Sequence, residues 1–364
     1  MELRIIKLEL IAIIGLVPLW LNAQITIEKY NPTSTLVVPE HIITASKFPF
    51  IDVHSHQNLK TPEDFKKLKT AMDTLNMSFM VNLSGGWGST LKEKVENVSK
   101  NSMSNRMAVF ANIDFQGFGF VQWTEYTVDQ LKEDVANGAS GLKIFKELGM
   151  THLDIHGNRI PINDARLDPI WAICGELGIP VLIHSGAPKS FWDPMDEKNE
   201  RWLELYKYPD RNYSNSTIPP WEQLMKEQHD VFSKHPNTIF INAHFGWYGN
   251  NLEQLSMILN KYSNVYVEFG AVIGELGRQP ITAKDFFEAH QDRILFGKDS
   301  WVPSEYATYF RTLETTDEYF PYHKKYHAFW SLYGMGLSDE VLKKIYYKNA
   351  LKIIPGIDSG MFKE

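Results

Sequence analysis

Apolar runs of strand length alternate with helix-like segments from residue 48 to residue 297, and this alternation constrains the fold more than any other feature. The runs cover 48–57, 77–83, 106–115, 141–145, 180–184, 238–244, 265–269 and 293–297. Between them lie helix-like stretches at 61–76, 90–100, 127–137, 168–177, 221–234, 252–262 and 284–290, the first opened by the capping sequence Thr61-Pro62-Glu63. Strands separated by helices pair in parallel through right-handed crossovers. Eight such units predict a (β/α)8 TIM barrel with its chemistry at the C-terminal strand ends, an open doubly wound sheet being the other arrangement the pattern allows.

Two departures from the repeat carry information. The connection 187–220, after the fifth run, holds Phe191, Trp192, Trp202, Tyr206, Tyr208 and Tyr213 together with Arg201 and Arg211. A loop of that length inside a compact domain is functional or a packing insertion. Leaving from the active end, it predicts an aromatic lid, with Trp192 as a substrate contact. Beyond Gly297 the segment 303–352 reads as a helical C-terminal extension, with Ser338-Asp339-Glu340 as a helix start.

The N-terminus follows other rules. Arg4 and Lys7 precede an apolar run from Leu10 to Leu21, and Ala23 stands before Gln24. That order is the order of a secretory signal peptide over 1–23, and the run is short for a membrane span. Export to the periplasm or the exterior is the expectation, with no membrane attachment after cleavage and an uncleaved anchor as the alternative. Residues 24–47 then form an arm, and 48–364 the barrel domain. The single cysteine, Cys174, excludes an intramolecular disulfide and Cys-rich metal binding. A net charge of -7 without a basic block argues against nucleic-acid partners and leaves a small-molecule substrate. A homo-oligomer is compatible with the composition.

The chemistry-bearing side chains fall where apolar runs stop. His54 and His56 end the first run, two apart and so on one face of a strand. His184 ends the fifth, His244 the sixth, and Asp299 follows the eighth. Strand alternation would place Phe240, Asn242 and His244 on one face and Leu295, Gly297 and Asp299 on another, all pointing inward. Several imidazoles with one carboxylate suit zinc, iron(II), manganese or nickel. Asp299 and His244 are the candidate catalytic groups.

The phrases FIDVHSHQN, VLIHSGAP, FINAHFGW and ILFGKDSW resemble the metal-dependent amidohydrolase superfamily, and in particular its branch that includes amino-carboxymuconate-semialdehyde decarboxylase. The resemblance implies that His54, His56, His184 and Asp299 are metal ligands. It implies that His244 is a second-metal ligand or an acid/base. The segment Gly141 to Phe145 resembles the one whose carboxylated lysine bridges two metals in binuclear members, which makes Lys143 a further metal-ligand candidate; pairing with Glu268 or Asp299 is the alternative. The implied cofactor is zinc or another divalent transition metal, one ion or two. The implied reaction is hydrolysis of an amide, ester or lactone by metal-activated water, with decarboxylation on the same scaffold as the alternative. Arg278, in GELGRQP, is placed to meet a substrate carboxylate.

Overall fold

The computed structural model describes residues 25–27 and 29–362, so the leader expected at 1–23 lies outside the described residues. The chain divides into two units, Met1–Thr35 and Leu36–Glu364. In the first, the N–H groups of Lys29 and Tyr30 bond back to the Thr26 carbonyl at 2.9 and 3.0 Å and form a turn. The remaining architecture belongs to the second.

Eight parallel strands pair in sequence order: β1 (Phe50–Ser55), β2 (Met77–Asn82), β3 (Met107–Ala111), β4 (Ala139–Ile144), β5 (Val181–Ile183), β6 (Phe240–Asn242), β7 (Val265–Glu268) and β8 (Ile294–Leu295). The seam between β8 and β1 is closed by the Val53 N–H on the Phe296 carbonyl (3.0 Å) and the Asp299 N–H on the His54 carbonyl (2.7 Å). The fold is therefore a (β/α)8 TIM barrel. Its strands read as near-continuous apolar runs because both faces are covered, one by the barrel interior and one by helices. In β6 the outward face is Phe240, 5.1 Å from Phe232, and Asn242, whose Oδ1 accepts from Gln228 (3.0 Å). Ile241, fully buried, points the other way.

Local sequence sets the helix starts. Thr61 and Asp64 cap the helix Pro62–Leu75 reciprocally, with Pro62 in the first turn, and Asn76 ends it in the left-handed region. The helix Trp123–Ala136 begins four residues before the expected 127, and Pro280–Ala289 begins at its proline rather than at 284.

The C-terminal region is helical only at its two ends. Tyr306–Glu314 is followed by a short antiparallel pair, Phe320–Pro321 with Ser331–Leu332, and helix resumes at Asp339–Lys343. Pro321, Gly334 and Gly336 are poor helix formers, and they break the middle of the expected extension. Residues Lys344–Lys348 wind as a single π turn, and the Ile345 carbonyl accepts the Phe296 N–H at 3.0 Å. That donor is thereby satisfied by a helix instead of a strand, which fits β8 ending at Leu295. Residues 36–47 are tied to the stretch that leaves the helix Tyr306–Glu314: the His41 N–H bonds to Asp317 (2.8 Å) and the Lys47 N–H to Glu314 (2.9 Å).

Candidate active site

At the C-terminal strand ends, His54 and His56 turn toward a common carboxylate. The Nε2 atoms of both lie 3.6 Å from Asp299 Oδ1. His54 is buried, whereas about a third of the His56 and Asp299 side chains is exposed (31% and 35%), so the cluster opens to solvent on that side. One ligand atom each of His54, His244 and Asp299 lies within 4.8 Å of the others. His184 stands beside them, its ring centroid 4.4 Å from that of His244. The structure thus brings together all four predicted histidines and Asp299.

His244 arrives by a route that strand alternation does not describe. Phe240 and Asn242 face the helices, so simple alternation would send His244 outward as well. Instead the backbone turns left-handed over four residues: φ is 57° at His244, 55° at Phe245, 57° at Gly246 and 61° at Trp247. Such a conformation costs about 1–2 kcal/mol for each residue bearing a side chain, and it persists where surroundings over-determine it. Here Phe245 is anchored among Phe269, Phe286 and Phe287, and the His244 N–H is fixed to Glu268 Oε1 at 2.8 Å. Asp299 too has a positive φ, 80°.

Hydrogen bonds decide which ring nitrogens remain available. His244 Nδ1 lies 2.7 Å from the Gly270 carbonyl, which only accepts, so Nδ1 carries the proton and Nε2 a lone pair. His54 Nδ1 lies 2.8 Å from Glu268 Oε1, which orients it in the same sense. His56 Nδ1 is 2.8 Å from Ser84 Oγ. Burial holds the His54, His184 and His244 imidazoles below the ordinary histidine range, the neutral form that a metal requires. Burial pushes the Asp299 carboxyl up, but His54, His244, His56 and Lys143 outweigh it and hold Asp299 well below the usual carboxylate range. The Nε2 atoms of His184 and His244 are buried without a hydrogen-bond partner. Neutral imidazoles with undirected lone pairs beside a carboxylate fit a divalent transition ion.

Glu268, at the end of β7, supports this arrangement, whereas the sequence suggested it only as an ion-pair partner for Lys143. It is fully buried; Oε1 receives His54 Nδ1 and the His244 N–H, and Oε2 the Gly270 N–H at 2.6 Å. A Cβ at position 297 would lie 2.5 Å from Oε2, so the glycine there makes room for the carboxylate. The signal was present, since Glu268 is a charge closing an apolar run.

Lys143, on β4, is 1% exposed, and its Nζ has no hydrogen-bond partner. Glu268 and Asp299 act on it electrostatically without a bonded ion pair among the described residues. Burial lowers it to about 8. An unfolded chain keeps that proton to about pH 10.4. Between those pH values the unfolded lysine binds more protons, so the contribution of Lys143 to the stability of the metal-free protein rises with pH there. Lys143→Met is expected to remove this contribution, so that its stability difference from the wild type shifts in favour of the wild type between about pH 7.5 and 9.5 in urea unfolding.

The insertion after β5 carries a short helix, Trp202–Lys207, and a small core of Ala187, Phe191 and Leu205. The indole N–H of Trp192 donates to the Pro219 carbonyl (2.9 Å) and its ring lies 4.8 Å from Tyr213, so it is placed inside the insertion. Arg278 pairs with Glu200 (3.0 Å) and stacks 3.8 Å from Trp330. The polar groups of both residues proposed to meet substrate are thus already engaged. A cleft of about 290 Å³ runs between the insertion and the loops after β6 and β7, lined by Ser190, Lys198, Asn250 and Glu275 among others. Trp247 is its wall toward the cluster, its ring 4.5 Å from His244 and 5.7 Å from His184.

No curated protein matches the chain by sequence. Among solved structures, an uncharacterised TIM-barrel protein from Bordetella bronchiseptica is 17% identical, with 84% of this chain and 98% of that chain covered and a TM-score of 0.51. A candidate amidohydrolase from Staphylococcus aureus is 15% identical, with 84% and 99% covered and a TM-score of 0.50. At such identities these likenesses bear on the fold alone, and they agree with the barrel. The amidohydrolase family profile matches residues 51–355, a span that begins inside β1 and takes in the four histidines, Lys143, Glu268 and Asp299. The chain belongs to the amidohydrolase family and is an enzyme of that superfamily.

Proposed function

We propose that this enzyme hydrolyses an amide, ester or lactone bond with water activated by one or two divalent transition ions, zinc among them. The observation that carries the reading is the convergence of His54, His56 and Asp299, with His244 and His184 presenting buried, unpartnered Nε2 atoms alongside. A divalent ion held there lowers the pKa of a water and polarises a carbonyl. His54, His56, His184 and Asp299 are the proposed ligands. Lys143, if carboxylated, would extend the set to a second ion.

Asp299 is ionised and partly open to solvent, so it is suited to take a proton from the attacking water and pass it to the leaving group. The His244 tautomer directs its role. With Nδ1–H on Gly270, Nε2 is a ligand or proton acceptor. Proton donation, the acid half of the role that the resemblance implies, needs a second proton that burial opposes.

The reading predicts that the purified protein carries about one or two metal equivalents and turns over a member of an ester and lactone panel. Chelation is expected to remove activity and added Zn2+ or Mn2+ to restore it, with metal content followed by elemental analysis and the state of Lys143 by intact mass. Full activity after complete stripping would overturn it. Release of carbon dioxide from carboxylated substrates without any hydrolysis would move the assignment to a carboxy-lyase. Export is part of the same proposal, and N-terminal sequencing of protein from the extracytoplasmic fraction is expected to begin at Gln24.

A further inference from the structure

The insertion 187–220 is fixed to the barrel by buried charge as well as by apolar area. Arg201 is 2% exposed. Its Nη1 donates to Glu204 Oε2 at 2.8 Å, its Nη2 donates to Glu275, and its guanidinium lies 4.9 Å from the Trp330 ring. Arg278 contacts the same indole. Glu204 also accepts from Arg211 (2.7 Å), with His327 Nε2 3.7 Å away. Three segments distant in sequence meet at this knot: the insertion, the helix Ile273–Arg278 and the C-terminal stretch around Trp330. Buried ion pairs add little net stability because of their desolvation, and their best-attested use is to select one arrangement of the groups they join.

From the knot two lines of contact reach the imidazoles. Leu205, whose N–H bonds to the Arg201 carbonyl (3.0 Å), packs with Ala187 and Phe191 in the small core that begins three residues after His184. Glu275 and Val272 lie over Gly249, where a Cβ would be 3.4 and 3.3 Å from their Cβ atoms. Gly249 follows Trp247 by two residues, and Trp247 packs on both His244 and His184.

We propose that Arg201 is a positioning residue of the metal-binding centre: joined to Glu204, Glu275 and Trp330, it makes the insertion a fixed wall and holds His184 and Trp247 in register with the other imidazoles. The proposal rests on the metal-dependent reading above. Arg201 acts through its neighbours, and the expected lid is a clamped element in this view.

Arg201→Lys keeps a cation between the two glutamates and removes the planar fork; Trp330→Leu keeps the ion pairs and removes the stacked ring. In stripped full-length protein, Zn2+ affinity is measured by competition with a chromophoric chelator, and the insertion is probed by trypsin cleavage at the exposed Lys198 and Lys207. With far-UV dichroism unchanged, Arg201→Lys is expected to weaken Zn2+ binding by about tenfold or more and to speed cleavage of the insertion by a similar factor. Trp330→Leu is expected to move both in the same direction by less, and it decides the matter should Arg201→Lys fail to fold. Unchanged Zn2+ affinity overturns the proposal, whether or not cleavage accelerates. Wild-type protein that takes up neither Zn2+ nor Mn2+ overturns the functional reading instead, and the cleavage comparison keeps that failure separate from failure of the clamp.

Discussion

Asp299→Asn is expected to lower kcat/KM by about 10³–10⁴-fold while leaving the barrel folded. The substitution removes the negative charge that faces His54 and His56 and, with it, the solvent-open carboxylate proposed to take a proton from the attacking water. It keeps the volume of the side chain and the N–H that closes the β8–β1 seam on the His54 carbonyl. Asparagine also tolerates the left-handed backbone at this position, where φ is 80°, so strain does not confound the comparison. The check is steady-state kinetics on the best ester or lactone substrate beside a thermal melt. Retention of more than a tenth of wild-type turnover would remove Asp299 from the mechanism.

Glu268→Gln is expected to weaken metal binding by about 10–100-fold and to destabilise the metal-free fold by about 1–3 kcal/mol. Both carboxylate oxygens are acceptors, Oε1 for His54 Nδ1 and the His244 N–H, Oε2 for the Gly270 N–H. An amide can offer only one acceptor oxygen. Either way round, its NH2 meets a donor in a fully buried site, so His54 rotates or Gly270 loses its bond. Chelator competition and urea unfolding separate the two effects. Wild-type affinity in this variant would mean that His54 needs no support from β7.

Much of this was legible because each signal was local. The strand–helix alternation fixes the barrel, and His54, His56, His184 and Asp299 end or follow apolar runs, where a parallel barrel presents its side chains. His244 reaches the cluster by a route other than the expected one. Alternation along β6 would point it at the helices, and only a left-handed turn spanning three residues with side chains and one glycine reverses it. Such a turn is imposed by tertiary contacts at Phe245 and Glu268, to which neighbouring sequence gives no clue. The role of Glu268 as a support for His54 and His244 is hidden for a related reason, since these partners lie 214 and 24 residues away. Arg278 and Trp192 show how type and position say little about a side chain's present partners. Type and rough position suggested substrate contacts, but a guanidinium and an indole N–H are readily engaged by near neighbours, here Glu200 and the Pro219 carbonyl. The irregular stretch from 315 to 338 was signalled by Pro321, Gly334 and Gly336, which a helix-wide reading of the extension averaged away.

The seam has a consequence for biosynthesis. β1 obtains its second neighbour only when Phe296 and Asp299 emerge, and Phe296 in turn finds its own acceptor at Ile345. During translation the earliest barrel strand must therefore wait, one edge unmatched, until the seven strands that follow it have left the ribosome. A nascent barrel of this kind is exposed to aggregation through all of that interval, and ring closure is its last step.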